Sequence, residues 1–341
     1  MTPESLPIDE QIRIKVEELV NTADCESNHP LQEMILTLIK ITKNNPDFHD
    51  INLIHQTLKE LWQSYKVFLP YRDARKVCVF GSARTPEDHP AYQITLDFSK
   101  KITDKGFMVI TGAGAGIMEA GNRGAQLNKS FGANILLPFE QEPNPYIANS
   151  SKLVSFKYFF TRKLTFIKES DATVLCPGGF GTHDEAFEVL TLVQTGRCAP
   201  RPIVLLTSPG DRYWDDFLLF LKNALLQNAY IAEEDLAIFY NTTSASDAVS
   251  YIDDFYKVYH SIRYQDNLTV IRINTPLSPE KLARLNKKFK DILISGEINQ
   301  VDAKEIPYDN QVFQHLPRLV MHSQKTSFGK IYEFIHYLNQ L

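Results

Sequence analysis

No two cysteines in this chain stand in a C-x-x-C pair, and no Cys/His cluster falls at zinc-ligand spacing. The four cysteines, Cys25, Cys78, Cys176 and Cys198, are scattered. That pattern disfavours a disulfide framework and a structural zinc site, and it points to a reducing cytoplasm. Cys78 and Cys176 lie inside apolar runs and are expected as buried small hydrophobes. Long apolar runs are missing as well: stretches such as FLLFL at 217–221 fall far short of the roughly 20 residues a membrane helix needs. The N-terminal MTPESLPIDEQ is polar and acidic, unlike a secretory leader. Excess positive charge is also absent, with 36 basic against 41 acidic residues and a net charge of −5. No global field then exists to attract polyanions, so general binding to nucleic acid or to an anionic membrane is not expected, although a local basic pocket is compatible with the balance. Neither an internal repeat nor a low-complexity tract is visible. With 341 residues, 43% hydrophobic and 23% charged, the chain has the composition of an ordinary globular protein and room for a domain with substantial additions.

Three regions differ in their periodicity. Residues 1–70 place apolar side chains at three- and four-residue spacings in IDEQIRIKVEELV, LQEMILTLIKIT and INLIHQTLKELWQSYKVFL, which predicts a helical N-terminal segment. Packing on the next domain and a regulatory or partner-binding role are both open to it. From residue 76 short β-rich runs alternate with helical ones. KVCVFGS, FMVIT, ANILLP, ATVLCP and PIVLLT read as strands. The segment from about Ala91 to Lys105, IMEAGNRGAQLN, KYFFTRKLTFIKES, HDEAFEVLTLVQTG and RYWDDFLLFLKNALLQNA read as helices. This alternation implies an α/β fold with a Rossmann-like, doubly wound parallel sheet, whose ligands sit at the carboxyl ends of the strands. Beyond about residue 262, NLTVIRINT, PEKLARLNKKFKDIL, PRLVMHS and GKIYEFIHYLNQL suggest a small C-terminal α/β appendage. The expected domains are therefore 1–70, 71–262 and 263–341. The basic helix of the appendage (Lys281, Arg284, Lys287, Lys288, Lys290) fits a solvated face better than a nucleic-acid contact.

The chemistry is concentrated at the strand ends. In PGGFGTHDE, residues 177–185, the three glycines let the backbone approach a ligand closely. The helix expected to begin at Thr182 offers amides and a favourable dipole to an anion, most simply a phosphate. TGAGAGIMEAG, residues 111–121, is a second glycine-rich strand-to-helix loop. It breaks the G-x-G-x-x-G spacing because Ile117 stands where the third glycine belongs. No acidic residue closes the next strand, which ends Leu136-Leu137-Pro138 with Glu140 just outside, so a dinucleotide oxidoreductase is disfavoured. Glu185, three residues after Thr182, either stabilises the helix start or acts on a bound ligand. Asp184 competes for both roles, and His183 is more simply structural. Arg162 and Lys163 point about 100° apart on their helix, so one can reach the pocket while the other faces solvent. Arg162 is the better bidentate phosphate ligand.

Taken together these residues resemble the LOG family, the cytokinin-activating phosphoribohydrolases often labelled lysine decarboxylase-like. PGGFGTHDE matches the PGGxGTxxE signature, TGAGAGIMEA resembles the first glycine-rich loop, FFTRKLTFIKESDA resembles the M-x-x-RK-x-x-M-x-x-x-SDA segment, and the Gly81-Ser82 strand end fits. The resemblance spans roughly residues 74–260, and the added segments make the chain look like a longer bacterial member. It implies hydrolysis of the N-glycosidic bond of nucleoside 5′-monophosphates to free base and ribose 5-phosphate, with no metal and no cofactor. Arg162 and Glu185 are implied as catalytic. Gly81, Ser82, Gly112, Gly114, Gly116, Met118, Lys163, Gly178, Gly179, Gly181 and Thr182 are implied to hold phosphate and ribose. Glu119 stands where compact members often have glycine. The lysine decarboxylase label would require pyridoxal phosphate on a lysine, and nothing marks Lys163, the nearest candidate, for that role. The implied partner is a small-molecule nucleoside monophosphate, with no nucleic acid and no membrane, in a homodimer or higher homo-oligomer. The alternative is a nucleotide-sensing or cofactor-carrying protein of the same superfamily that binds without hydrolysing.

Overall fold

The structure, a computed structural model, describes residues 7–23, 28–137, 142–265, 268–306, 313–323 and 328–341. Cys25, Pro138 and Glu140 lie outside the described residues. The chain divides into two compact units, Met1–Trp62 and Gln63–Leu341. The first holds α1 (Ile8–Thr22) and α2 (Asn28–Lys43), and α3 (Phe48–Phe68) runs across the boundary between the units. Val16, Val20 and Leu36 are buried together, with Ile12, Leu31, Ile35 and Ile39 around them. These positions recur at the helical spacing the sequence shows.

The second unit is built on seven parallel strands in the order β4-β3-β2-β1-β5-β6-β7. They are β1 (Lys76–Phe80), β2 (Met108–Thr111), β3 (Ser130–Ile135), β4 (Leu153–Phe156), β5 (Ala172–Leu175), β6 (Ile203–Leu206) and β7 (Phe239–Thr242). From β1 the chain steps outward to β4 on one side, then returns to β5 and steps outward to β7 on the other. The direction reverses between β1 and β5, and a crevice opens at the carboxyl ends of strands at such a switch point. The helices between them are α4 (Pro90–Asp104), α5 (Ile117–Ala125), α6 (Phe159–Glu169), α7 (Phe180–Gln194) and α8 (Tyr213–Phe220), with α9 (Ala245–Phe255) after β7. A π-helical turn, Leu221–Leu226, continues α8.

Alternation along the strands splits the core in two. Val77, Val79, Val109 and Val174 face one side with Phe98, Ile102, Ile117, Val249 and Ile252. Cys78, Phe80, Ile110 and Leu175 face the other with Phe166, Ala186 and Val189. Because both faces are covered, β1, β2, β3 and β5 are buried at every position, which is why they read as continuous apolar runs.

The C-terminal segment forms a four-stranded antiparallel sheet, β10-β11-β9-β8, from β8 (Tyr259–Gln265), β9 (Leu268–Ile273), β10 (Leu293–Val301) and β11 (Arg318–Ser323). It also carries α10 (Pro279–Lys288) and α11 (Phe328–Gln340). The position 262/263, where the sequence suggests a new domain, falls inside β8. Tyr259, Ile271, Leu319, Tyr332 and Leu338 belong to the same buried cluster as Phe80 and Phe166, so this segment shares a core with one face of the parallel sheet.

Candidate active site

Three strand ends are tied together by backbone hydrogen bonds. The Cys176 amide donates to the Phe80 carbonyl at 2.8 Å, Ser82 to Pro177 at 3.0 Å, and Ile117 to Ser82 at 3.0 Å. The loops after β1, β2 and β5 are thereby fixed around the switch point. Between them lies a cavity of about 770 Å³. It is lined by Gly81, Ser82, Gly112, Met118, Arg162, Gly178, Gly179, Gly181, Thr182 and Glu185, ten residues the sequence nominates. Three nominated residues are not in the lining: Gly114, Gly116 and Lys163.

Helix α7 begins at Phe180 with Gly179 as its N-cap, two residues before the expected start at Thr182. Thr182 and His183 both donate to the Gly179 carbonyl. Among the described residues the amides of Phe180 and Gly181 have no backbone acceptor, so they are free donors at the positive end of the helix. The earlier start moves Glu185 into the second turn. A methyl added at Gly179 or Gly181 would meet nothing within 4 Å, and neither residue has positive φ. Packing and backbone conformation thus make no demand for glycine there, and the effect of its use is open space over the amides. Gly178 and Gly112 differ. A methyl at Gly178 would lie 2.1 Å from Thr182 Oγ1, and one at Gly112 would lie 2.3 Å from Arg162 Nη2 and 2.6 Å from Met118 Sδ. Gly112 is therefore what lets the Arg162 guanidinium into the crevice.

Arg162 reaches the cavity from α6. Its Nε donates to the Ala133 carbonyl at 2.8 Å, and its guanidinium lies over the Phe166 ring. Burial pulls its pKa down and Glu185 opposes the shift; an arginine nevertheless stays charged. Glu185 is only 7% exposed. Desolvation pushes its carboxyl up to about 7, against the lowering influence of Lys163 and Arg162. A buried carboxyl titrating near neutrality beside a cation, in a cleft, is a pattern associated with acid–base and electrostatic catalysis.

Lys163 neither lines the cavity nor faces solvent. Its ammonium lies 2.8 Å from Glu188, 3.0 Å from Asp184 and 3.7 Å from Glu185, with its side chain 14% exposed. Both members of the Arg-Lys pair turn inward, one to the cavity and one to the flank of α7. Gly116 is the N-cap of α5 with φ +64°, and a side chain there would strike the Ser82 carbonyl. Gly114 offers its carbonyl to Asn144 Nδ2 at 2.9 Å. Both glycines thus shape the second loop from outside the cavity. Tyr92 donates to Glu119 at 3.0 Å, which turns that carboxylate toward α4.

Some relevant residues carry no signal in the sequence. Asn144 also donates to Asn122 Oδ1 at 2.9 Å, while Asn122 accepts from Thr111 at 2.7 Å and donates to Ser130 at 2.6 Å. This buried amide network locks the loop after β2, where Ala113 adopts φ +62°. Arg84 lines the cavity beside Ser82, whose Oγ accepts from the Arg84 amide. Leu137, Phe159 and Phe180 add apolar wall. His183 is braced in an aromatic group with Phe187, Tyr213 and Phe217. The Tyr213 hydroxyl donates its one proton to the Gly178 carbonyl. His183 Nε2, 2.7 Å away, must therefore be the donor to that oxygen. Burial lowers the histidine's pKa, and His183 both supports the Gly178 loop through Tyr213 and lines the cavity. Among the described residues, no group of three or more His, Cys, Asp or Glu is placed to hold a metal ion, and no helix is long and apolar enough to cross a membrane.

Residues 112–252 match the family described as possible lysine decarboxylase. The chain is 28% identical over 192 residues to the cytokinin riboside 5′-monophosphate phosphoribohydrolase LOG of Oryza sativa, covering 54% of this chain and 75% of that protein. It is 26% identical over 184 residues to the probable phosphoribohydrolase LOGL5 of the same plant, covering 53% and 72%. This chain resembles the LOG family across that region. Among solved structures this chain aligns with a molybdenum cofactor binding protein from Rippkaea orientalis at 17% identity and TM-score 0.37, covering 52% of this chain and 94% of that one. A second alignment is with DNA processing protein A from Helicobacter pylori at 14% identity and TM-score 0.38, covering 54% and 81%.

Proposed function

We propose that the cavity binds a nucleoside 5′-monophosphate and hydrolyses its N-glycosidic bond, releasing free base and ribose 5-phosphate. The observation that carries this reading is Glu185: a buried carboxyl raised to about 7, one helical turn from the free amides that begin α7 and on the same cavity wall. The 5′-phosphate sits over Gly179 and Gly181 and accepts from the Phe180 and Gly181 amides, where the helix dipole favours it. Arg162 adds a cation to the same crevice. Cleavage of the C1′–N bond leaves the bonding pair on the base and develops oxocarbenium character on the ribose, as in glycoside hydrolysis. Ionised Glu185 stabilises that charge and takes a proton from the water that attacks C1′, and the departing base takes up that proton, which leaves free base, ribose 5-phosphate and the carboxylate as it began. Leu137, Phe159 and Phe180 give the planar base an apolar face.

In the same reading the protein works in the cytoplasm, without nucleic acid, as a homodimer. Phe160, Leu164 and Phe187 are exposed on α6 and α7, and a second copy would cover them. Light scattering at micromolar concentration checks the dimer. For the reaction, the test is incubation with AMP, GMP, CMP, UMP and isopentenyl-AMP while free base is followed by chromatography. Base release that disappears in Glu185→Ala with the fold intact supports the proposal. Nucleotide recovered bound and intact after long incubation transfers the protein to a binding role, and full activity in Glu185→Ala overturns the assignment.

A further inference from the structure

Lys163 is implied by resemblance to be a substrate ligand, yet its surroundings suit another task. An ammonium has three protons to donate, and here three carboxylates of α7 lie within 4 Å of it: Glu188 at 2.8 Å, Asp184 at 3.0 Å and Glu185 at 3.7 Å. To bind a phosphate it would have to abandon them. We propose that Lys163 is a positioning residue that splints α6 to α7 and favours the charged form of the Glu185 carboxylate. The splint stands on this geometry alone; its importance for catalysis rests on the reading of Glu185 as the reacting carboxylate.

The neighbours of Glu185 act in opposite senses. From α6, Lys163 and Arg162 favour its charged form. From α7, Glu188 and Asp184 disfavour it. From β1, Cys78 faces it as a thiol that burial keeps neutral. Arg162 and Lys163 are consecutive on α6 and diverge by about 100°, so the helix brings two cations to one carboxylate by different routes. Arg162 is fixed by Ala133, whereas Lys163 is held chiefly by Glu188, its nearest carboxylate and one to which it donates directly. Glu188 therefore draws Lys163 away from Glu185 and also repels Glu185's charge. Loss of Lys163 leaves three carboxylates without their shared counter-ion. Loss of Glu188 frees Lys163 to move toward Glu185. Loss of Lys163 must therefore raise the midpoint of Glu185, which a merely structural splint would not do, whereas loss of Glu188 lowers it both by freeing Lys163 and by removing a like charge.

The experiment is a carboxyl ¹³C titration of the full chain labelled in glutamate, with the Glu185 resonance assigned by its loss in Glu185→Gln. In Lys163→Met the Glu185 midpoint is expected to rise by about one to three pH units; in Lys163→Arg it returns toward the parent value, and in Glu188→Gln it falls. Should Lys163→Met fail to fold, Lys163→Gln takes its place, a rise of the midpoint supporting the clamp and no change refuting it. An unchanged midpoint in the lysine variant overturns the proposal. The titration needs no substrate, so a parent protein that releases no base from any nucleotide would sink the proposed reaction without touching the clamp. If base is released, the acid limb of the kcat/KM profile follows the same shifts.

Discussion

Replacing Glu185 with glutamine is expected to make the protein more stable above neutrality and inactive at the same time. The buried carboxyl binds its proton more tightly in the folded chain than its ordinary value of 4.5 allows, with a midpoint near 7. The neutral form therefore favours the fold. That contribution is complete below 4.5 and is lost as pH rises through about 7. A gap of this size corresponds to about 3 kcal/mol once the group is fully ionised, most of it appearing between about pH 5 and pH 8. Glutamine keeps the shape and cannot ionise. At about 2 °C per kcal/mol for a domain of this size, Glu185→Gln should melt roughly 5 °C above the parent near pH 8, and the two should converge near pH 5. Melting curves at several pH values, followed by far-ultraviolet circular dichroism, measure the gap. Base release should meanwhile fall by about 10²–10⁴, while nucleotide binding, read by calorimetry, persists. A melting difference independent of pH would refute the argument, because it would mean that the carboxyl does not change ionisation in the buried site.

The glycines separate into two kinds that substitution should distinguish. Gly179→Ala meets no protein atom within 4 Å, so it should fold normally and raise KM at least tenfold by occupying the space above the amides. Gly112→Ala collides with Arg162 and should lower both kcat and melting temperature; a pair of variants with the same kinetic signature would contradict the distinction. Asn144→Ala removes the donor to the Ala113 and Gly114 carbonyls and to Asn122, which should cost about 1–3 kcal/mol, read as a loss in chemical-denaturation midpoint. Tyr332→Phe strips the hydroxyl that accepts from the Arg201 amide at 3.0 Å and donates to its carbonyl at 2.8 Å. The variant should lose a similar amount of stability, and an unaltered midpoint would show that the C-terminal helix does not support the end of the sheet.

How much of this was visible in the sequence depends on how each element is buried. The five strands predicted for the parallel sheet, β1, β2, β3, β5 and β6, are all interior. The strands that escape notice, β4, β7, β8 and β10, are without exception the outer strands of the two sheets. An interior strand of a covered parallel sheet is apolar on both faces and announces itself as a run. An edge strand is buried on fewer positions, as at Ser155 in β4 or at Ser295–Glu297 in β10, and its composition merges with that of loops.

The same logic separates what could be read at the cavity from what could not. Gly178 to Glu185 are contiguous, so their chemistry travels with the motif, and ten nominated residues do line one cavity. The fate of Lys163 is settled instead by helix-to-helix contact between α6 and α7, across 21 to 25 residues of chain, and local periodicity carries no information about such a partner. Asn122 and Asn144 escape for the same reason: a buried amide is defined by the groups that satisfy it, and these come from β2, β3 and the loops after both. Glu185 lies between the two cases. Its position follows from the motif, but its ionisation depends on burial and on Lys163 and Arg162 from another helix. A LOG-like motif can therefore be intact while the carboxylate it carries titrates at the wrong pH. Lys163→Met is the variant that separates those two properties, because it leaves every motif glycine, Thr182 and Glu185 in place.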